Sequence, residues 1–377
     1  MLNFFRSLLK PKYETLNLIE IEKDCLLFNY QYLKKLQPEA EIFPVLKANA
    51  YGHGLKEVCQ ILNSAAVSMV AVDSYPEAQI CYRYFKGKVL ILGEMPLKVY
   101  RHCRLKRTEF VVYNQKTLRY LSRFGKKARI HLFVNSGMNR EGIKDLEAFI
   151  VENKKYLDKV DITGFCSHLA SAEEDSGLNR EQEKAFVDLL DTFRSSGFYP
   201  RWIHLGNSAA VFNLNNKLMS AFRPGLSFYG YSPFVEDGKT HPLRPALKVF
   251  SHIVSLQELD IGETVSYNET YIAKERGRIA VIPFGYFEGL DRRHSNQAEF
   301  LVLTESNSFL ARIAGRVCMN LTCLDVGRAD VKIGDLVLIV SNNPNDINSV
   351  ANLSKMIDTI PYEFLAKLRA NIRRIIV

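Results

Sequence analysis

The run Phe43-Pro44-Val45-Leu46-Lys47-Ala48-Asn49-Ala50-Tyr51-Gly52-His53-Gly54 ends an apolar stretch in a single lysine and continues into small residues and glycines. This reads as a strand that delivers one amine to the edge of a sheet, followed by a tight turn that opens a helix. An ammonium in such a place is costly to bury and sheds its proton readily, and a neutral amine can attack an aldehyde. The plainer reading is an edge lysine that reaches solvent. Three further strings carry chemistry. His204-Leu205-Gly206-Asn207-Ser208-Ala209-Ala210 reads as a strand end and a helix start, where backbone amides and the Ser208 hydroxyl can hold a phosphate; Ser208 is otherwise an ordinary cap. Arg223-Pro224-Gly225 offers a cation that only donates hydrogen bonds, or a surface arginine before a turn. Tyr267, in Thr264-Val265-Ser266-Tyr267-Asn268-Glu269-Thr270-Tyr271, stands in a strand-like alternation where a tyrosine usually packs.

The string Val45–Gly54 resembles the pyridoxal-phosphate lysine motif of the alanine racemase family, and the other strings follow in that family's order and spacing. The resemblance implies that Lys47 binds the cofactor pyridoxal 5'-phosphate and acts as one catalytic base. Ser208, Asn207, Tyr51, Tyr362 and the Gly225 amide would hold its phosphate end. Arg223 would face the pyridine nitrogen without protonating it, oriented by His204, which makes the ring a weaker electron sink and favours simple proton exchange. His168, in Gly164-Phe165-Cys166-Ser167-His168, would stack on the ring, unless it is a satisfied core histidine. Arg140, in Ser136-Gly137-Met138-Asn139-Arg140, would bind the phenolic oxygen and the substrate carboxylate, and Met319 would offer its backbone amide to the same carboxylate. Racemisation needs a base on each face of a planar carbon, and Tyr267 would serve the face opposite Lys47. In the family this tyrosine works in the partner's site, so the resemblance implies a homodimer with Tyr267 and Met319 acting in trans. Tyr286, Arg292 and Arg316 resemble the lining of the entrance channel.

The match departs from the family at three positions. Phe133 stands where many members carry a carbamylated lysine, and Asn135 and Asn320 stand where aspartates are usual. Arg140 must therefore be oriented by something else, with Asn135, an anion or water as candidates. The entrance string Gly285-Tyr286-Phe287-Glu288-Gly289 is also bulkier than the usual alanine-aspartate pair, which would narrow access.

These residues need elements to position them. Between about residues 40 and 230, short apolar runs at 43–48, 68–73, 88–93, 109–113, 129–135, 161–167, 201–205 and 221–229 alternate with helical patterns such as 54–64, 76–85 and 179–195. Alternation of this kind predicts parallel strands joined by right-handed crossovers, and eight of them close a (β/α)₈ TIM-type barrel with its chemistry at the strand C-terminal ends. After Pro233, Pro242 and Pro245 the texture changes. Strands are predicted at 247–256, 264–273, 278–283, 299–303, 309–315, 321–326 and 335–340, which suggests a mainly antiparallel β domain. Helices follow near 348–357 and 363–372, then a strand from Arg374 to Val377. The expected division is 1–240 for the barrel and 241–377 for the β domain.

At 377 residues, 47 % hydrophobic and 24 % charged, the chain is long enough for these two domains and ordinary for a globular protein. A net charge of +9 suits anionic ligands or a solvated basic surface, and no nucleic-acid motif accompanies it. The seven cysteines form no CxxC pair, and most lie in apolar surroundings. This usage fits a reducing, cytoplasmic setting and argues against a disulfide framework or a metal site. The run Met1–Lys10 is too short and interrupted to span a membrane and lacks a signal cleavage site, although a surface-lying amphipathic turn is compatible with it. The expected protein is a homodimeric pyridoxal-phosphate racemase of a small amino acid, alanine first, supplying D-alanine for a cell wall. The alternatives are a racemase of another small amino acid such as serine, or a poorly active cofactor-binding paralogue. A basic amino-acid decarboxylase would need an acidic partner where this chain has Arg223. A pyridoxal-phosphate carrier would usually lack the β domain and the second base.

Overall fold

Strands that are apolar on both faces must be covered on both faces. In the computed structural model, which describes residues 14–174, 176–214, 217–234 and 241–377, every residue of Met69–Val72 and Thr108–Val112 is buried. The run Met1–Lys10 lies outside the described residues. Two compact units emerge. One is Glu22–Ala246; the other joins the described residues up to Ile21 with Leu247–Val377.

In chain order the first strands are β1 (Leu18–Ile21), β2 (Glu41–Ile42), β3 (Met69–Val72), β4 (Lys88–Ile91), β5 (Thr108–Val112), β6 (Arg129–Phe133), β7 (Asp161–Cys166), β8 (Trp202–His204) and β9 (Ala221–Phe222). Strands β3 to β8 pair in sequence order, all parallel, and β2 pairs parallel with β9. A bridge between Val45 and Ala71 carries β2 onto β3. The Ser220 amide donating to Ile203 O (2.9 Å) and the Arg223 amide donating to Gly206 O (3.0 Å) carry β8 onto β9. The ring of eight strands therefore closes, as the alternating pattern predicts.

The helices around the ring show the expected physical signals. Leu55–Leu62 buries Leu55, Val58, Cys59, Ile61 and Leu62, one apolar face at helical spacing. Asn114 and Asp145 cap their helices by accepting the amides of Thr117 and Ala148, each at 2.9 Å.

The ends of the barrel differ from the sequence reading. The first strand covers only Glu41–Ile42 plus the bridge at Val45, because the chain turns left-handed after Lys47. The last strand stops at Phe222, since Pro224 has no amide to continue the ladder, and Leu226–Tyr229 forms a 3₁₀ turn closed by Gly230 at φ 96°. Before residue 40, where no element is predicted, a helix runs over Lys23–Leu36. It buries Leu26, Asn29, Tyr30 and Leu33. The polar member of that stripe is satisfied: the Asn29 amide donates to Arg244 O (2.8 Å) and its carbonyl accepts the Arg244 amide (2.9 Å).

The other unit holds β10 (Leu247–His252), β11 (Ser255–Leu259), β12 (Thr264–Val265), β13 (Tyr271–Ile272), β14 (Gly277–Ile282), β15 (Glu299–Leu303), β16 (Ser308–Ile313), β17 (Thr322–Gly327), β18 (Leu336–Val340) and β19 (Arg373–Ile376). Nine strands form one sheet in the order β11-β14-β17-β16-β15-β18-β10-β1-β19. Every pairing in it is antiparallel except β1 with β19. Burial alternates along β10 and β17, the period-2 signature of a sheet with one covered face. Because β1 pairs with β10 and β19, the first strand among the described residues belongs to this unit and not to the barrel. The single strand predicted at 264–273 is two short strands, β12 and β13, around a turn at Tyr267–Glu269. Positive φ at Ser266 (66°), Asn268 (63°) and Glu269 (51°) interrupts the extended backbone. Helices Val350–Met356 and Pro361–Lys367 follow. Among the described residues no helix is long and apolar enough to cross a membrane, and no cluster of His, Cys, Asp and Glu is arranged to hold a metal ion.

Candidate active site

Lys47 is exposed and stands at the start of an unusual turn. Ala48, Asn49, Ala50 and Tyr51 all have positive φ, 54°, 54°, 55° and 51°. A left-handed turn of residues other than glycine costs roughly 1–2 kcal/mol per residue, so the surroundings must impose it. Glu77 does much of this, accepting the Ala48 amide on one oxygen (2.7 Å) and the Asp73 amide on the other (2.8 Å). Asn49 adds two bonds, its side-chain oxygen accepting the Leu55 amide and its carbonyl the Gly54 amide, each at 2.9 Å. Sequence reasoning missed Glu77. The signal was Ser74-Tyr75-Pro76-Glu77, a capping-box spacing at a helix start.

Beside this turn the barrel builds a polar pocket floor. Ser208 is buried, and its hydroxyl accepts the amides of Gly225 (3.0 Å) and Ser227 (3.2 Å). Asn207 and not Ser208 ties the turn that leads into the following short helix, its Oδ1 accepting the amides of Ala209 (3.1 Å) and Ala210 (3.2 Å). The Ser227 hydroxyl is buried with no partner. Gly225 is required here, since any side chain at that position would collide with the Tyr51 hydroxyl.

Arg223 is the buried cation of the barrel. Its guanidinium donates to His204 Nδ1, His204 O (2.9 Å), Ser167 O (2.6 Å) and His168 Nδ1 (3.3 Å), all neutral acceptors. The cations Arg223, Arg140 and Lys47 all act on His168, which burial first and these charges second push down to about 3. The His168 ring is therefore neutral at physiological pH. Burial, then Arg223 and His131, likewise hold His204 well below the ordinary histidine range. Behind His204 lie two residues that sequence reasoning also missed, His131 and Glu109, both fully buried.

The substituted positions are accommodated locally. Phe133 is buried and meets Tyr113 edge-on, with ring centroids 6.3 Å apart. Asn135 shapes the loop instead of Arg140: its side-chain oxygen accepts the amides of Gly137 (3.0 Å) and Asn139 (3.1 Å). Arg140 is met by its neighbour Glu141, at 2.8 Å.

In the other unit, Tyr267 is 65 % exposed on the turn between β12 and β13, and not on a strand. The turn is tied to Arg316 by the Ser266 hydroxyl donating to Arg316 O (2.8 Å). Met319 is 55 % exposed; its carbonyl accepts the Phe287 amide (2.8 Å) and that of Cys318 the Tyr286 amide (3.0 Å). These bonds bring Tyr286 and Met319 together. Asn320 donates to Glu288 (2.9 Å), so an amide and a carboxylate pair where two acids would repel. Arg292 is exposed on a short turn joined to Val317 through the Ser295 hydroxyl (3.0 Å). The helix carrying Tyr362 is tied to Asp291 by Lys367 (3.2 Å).

Chemically, the barrel unit offers an amine for an aldehyde, a donor-only cation for a ring nitrogen, and hydroxyls and amides for a phosphate. Residues 21–233 match the family model described as alanine racemase, N-terminal domain, and residues 246–376 that of the alanine racemase C-terminal domain. The chain is 32 % identical over 369 residues to alanine racemase 2 of Caldanaerobacter subterraneus subsp. tengcongensis, covering 95 % of this chain and 94 % of that protein. It resembles the crystal structure of alanine racemase from D-cycloserine-producing Streptomyces lavendulae, with TM-score 0.89, 25 % identity and coverage of 97 % and 98 % of the two chains. It shares its fold with alanine racemase from Bartonella henselae, described with covalently bound pyridoxal phosphate, at TM-score 0.84, 23 % identity and coverage of 97 % and 100 %.

Proposed function

Because the chain belongs to the alanine racemase family, we propose that it interconverts the L and D forms of a small amino acid, alanine first, using pyridoxal 5'-phosphate and two bases, Lys47 and Tyr267. The observation that carries this reading is the buried Arg223 at the end of the barrel, whose guanidinium reaches His168 Nδ1 (3.3 Å) and has only neutral acceptors as partners. The cofactor supplies an aldehyde to hold the amino group and an electron-withdrawing ring that loosens the Cα–H bond. Arg223 would face the ring nitrogen as a donor that cannot hand over its proton, which would limit the ring's pull and keep the chemistry to proton exchange. His168 would cover the ring as a neutral imidazole. Ser208, Asn207, Tyr51, Tyr362 and the Gly225 amide would hold the phosphate end, and the unpartnered Ser227 hydroxyl fits that role. Arg140 binds the substrate carboxylate, with Glu141 setting its direction.

Lys47 Nζ takes or returns the α-proton on one face. The Tyr267 hydroxyl does the same on the other, from the partner subunit, which also contributes the Met319 amide. The exposure of both residues on their own unit supports this, as each is free to meet a second copy. Tyr286, Arg292 and Arg316 line the approach, and D-alanine supply for a cell wall in the cytoplasm is the corresponding role.

The test is direct. Purified protein with added pyridoxal phosphate should be yellow, borohydride should fix the cofactor on Lys47, and chiral chromatography should find D-alanine formed from L-alanine. Label on another lysine, or no D product from any small L-amino acid, overturns the proposal. D-serine as the dominant product would reassign the substrate.

A further inference from the structure

The catalytic face of Arg223 is one end of a buried chain that runs through the barrel. Arg223 Nη1 donates to His204 Nδ1. His204 Nε2 lies 2.7 Å from His131 Nδ1, and His131 Nε2 lies 2.9 Å from Glu109 Oε2. Glu109 also receives the Lys88 ammonium (2.7 Å) and the Thr163 hydroxyl (2.7 Å). Glu109, His131 and His204 are each 0 % exposed and Arg223 is 6 % exposed.

The two ends dictate where every proton sits. Arginine has no acceptor, so His204 Nδ1 is the acceptor and Nε2 carries the hydrogen. That hydrogen points at His131 Nδ1, so His131 also carries its hydrogen on Nε2. The last acceptor is a carboxylate, which has no hydrogen to give. Only one arrangement satisfies all three links, and both imidazoles in it are neutral. Burial favours the neutral form of each ring. Burial would raise the Glu109 carboxyl, but the donors His131, Lys88 and Thr163 outweigh it and hold it down at about 2. The fold also makes room for the relay: a side chain at Gly164, on the neighbouring strand β7, would collide with the His131 ring.

We infer that Glu109 and His131 are positioning residues for Arg223: through His204 they fix its guanidinium and place a buried negative charge at the far end of the chain, limiting how strongly Arg223 polarises the ring it faces. A buried cation without any compensating anion is strongly destabilised, and none of the guanidinium's own partners is a carboxylate. Glu109 is the carboxylate to which the chain connects it, through two imidazoles and without touching the ligand, and it is itself paired with Lys88 (2.7 Å). The catalytic half of this inference rests on the function proposed above; the chain itself does not.

Two measurements test it. In the cofactor-free wild-type protein, nitrogen-15 NMR of the histidine rings should give two neutral Nε2–H imidazoles, His131 and His204, that do not titrate between about pH 5 and 8, where a free histidine would. An Nδ1–H tautomer or an imidazolium at either position overturns the chain, and no variant is needed to see it. In the holoprotein, Glu109→Gln keeps an acceptor for His131 but removes the charge. We expect the visible absorption of the bound cofactor to shift and kcat to change by about fivefold or more, with KM within about twofold. Unchanged absorption and kcat in a folded Glu109→Gln protein overturn the positioning role. A wild-type protein that binds no cofactor overturns the proposed function and this catalytic role together, while the NMR result still decides the chain.

Discussion

Removing Glu77 should disorder Lys47 without touching it. The carboxylate holds two amides, those of Ala48 (2.7 Å) and Asp73 (2.8 Å), beside four consecutive residues of positive φ. Hydrogen bonds to a charged group contribute about 1.5–3 kcal/mol when buried. Here the site is open to water, which can replace part of each bond, so we take ~1 kcal/mol apiece. The strain of the turn is larger, at roughly 1–2 kcal/mol for each of its residues. Glu77→Ala should therefore weaken the turn by ~2 kcal/mol, which is enough to raise its open population by about thirtyfold. Hydrogen exchange at Ala48, Ala50 and Tyr51 should accelerate by that order, and kcat/KM should fall at least about tenfold as Lys47 loses its alignment. Adding Ala48→Gly should recover part of both losses, because glycine adopts positive φ without strain and Ala48 is exposed, so no packing is lost. A Glu77→Ala protein with unchanged exchange at these amides and unchanged kcat/KM would refute the argument that this carboxylate holds the turn.

Three further outcomes follow from the geometry. Gly225→Ala should push Tyr51 aside and weaken pyridoxal-phosphate affinity by about tenfold, measured by cofactor titration, because overpacking costs ~1–3 kcal/mol. Mixing inactive Lys47→Ala and Tyr267→Phe protomers should restore activity in the heterodimer, which holds one intact site; no recovery despite demonstrated subunit exchange would mean that each site is built from one chain. Stability should fall in acid in two stages, followed by denaturant titration at each pH. Histidines 131, 168 and 204 are held neutral in the fold, so the unfolded chain binds more protons below about pH 6.5 and gains on the native state. Glu109 is lowered from 4.5 to about 2, so its contribution is complete above about pH 4.5 and is lost as pH falls toward 2; Glu109→Gln should flatten that lower stage.

Much of the barrel end is legible in the chain because its residues stand in contiguous strings at strand ends. Lys47 and Arg223 each close an apolar run, and Ser208 follows the end of one by three residues; an apolar run that stops at a polar residue marks a sheet edge. The left-handed turn is not legible in this way. Positive φ is announced by glycine and sometimes asparagine, and Ala48 and Ala50 announce nothing. The same rule explains Tyr267: its neighbours alternate as in a strand, and only Asn268 hinted at a turn. Glu109 and His131 were hidden for a different reason. A charged residue in a strand reads as facing solvent, and its partners here come from three other strands, a proximity that no local pattern encodes. The helix Lys23–Leu36 escaped because its buried stripe includes Asn29, which reads as polar until its partners at Arg244 are known.

The central claim is that two bases, Lys47 and Tyr267, serve opposite faces of one carbon. It is tested most directly by α-hydrogen exchange of each alanine enantiomer in deuterated water with the Tyr267→Phe holoprotein. The substitution keeps the ring on its exposed turn and removes only the hydroxyl. Racemisation should fall by at least ~100-fold, the low end for loss of a general base. One enantiomer should still exchange its α-hydrogen through Lys47, while the other should lose exchange almost completely. Equal exchange of both enantiomers would contradict the account and leave Tyr267 without a part in proton transfer.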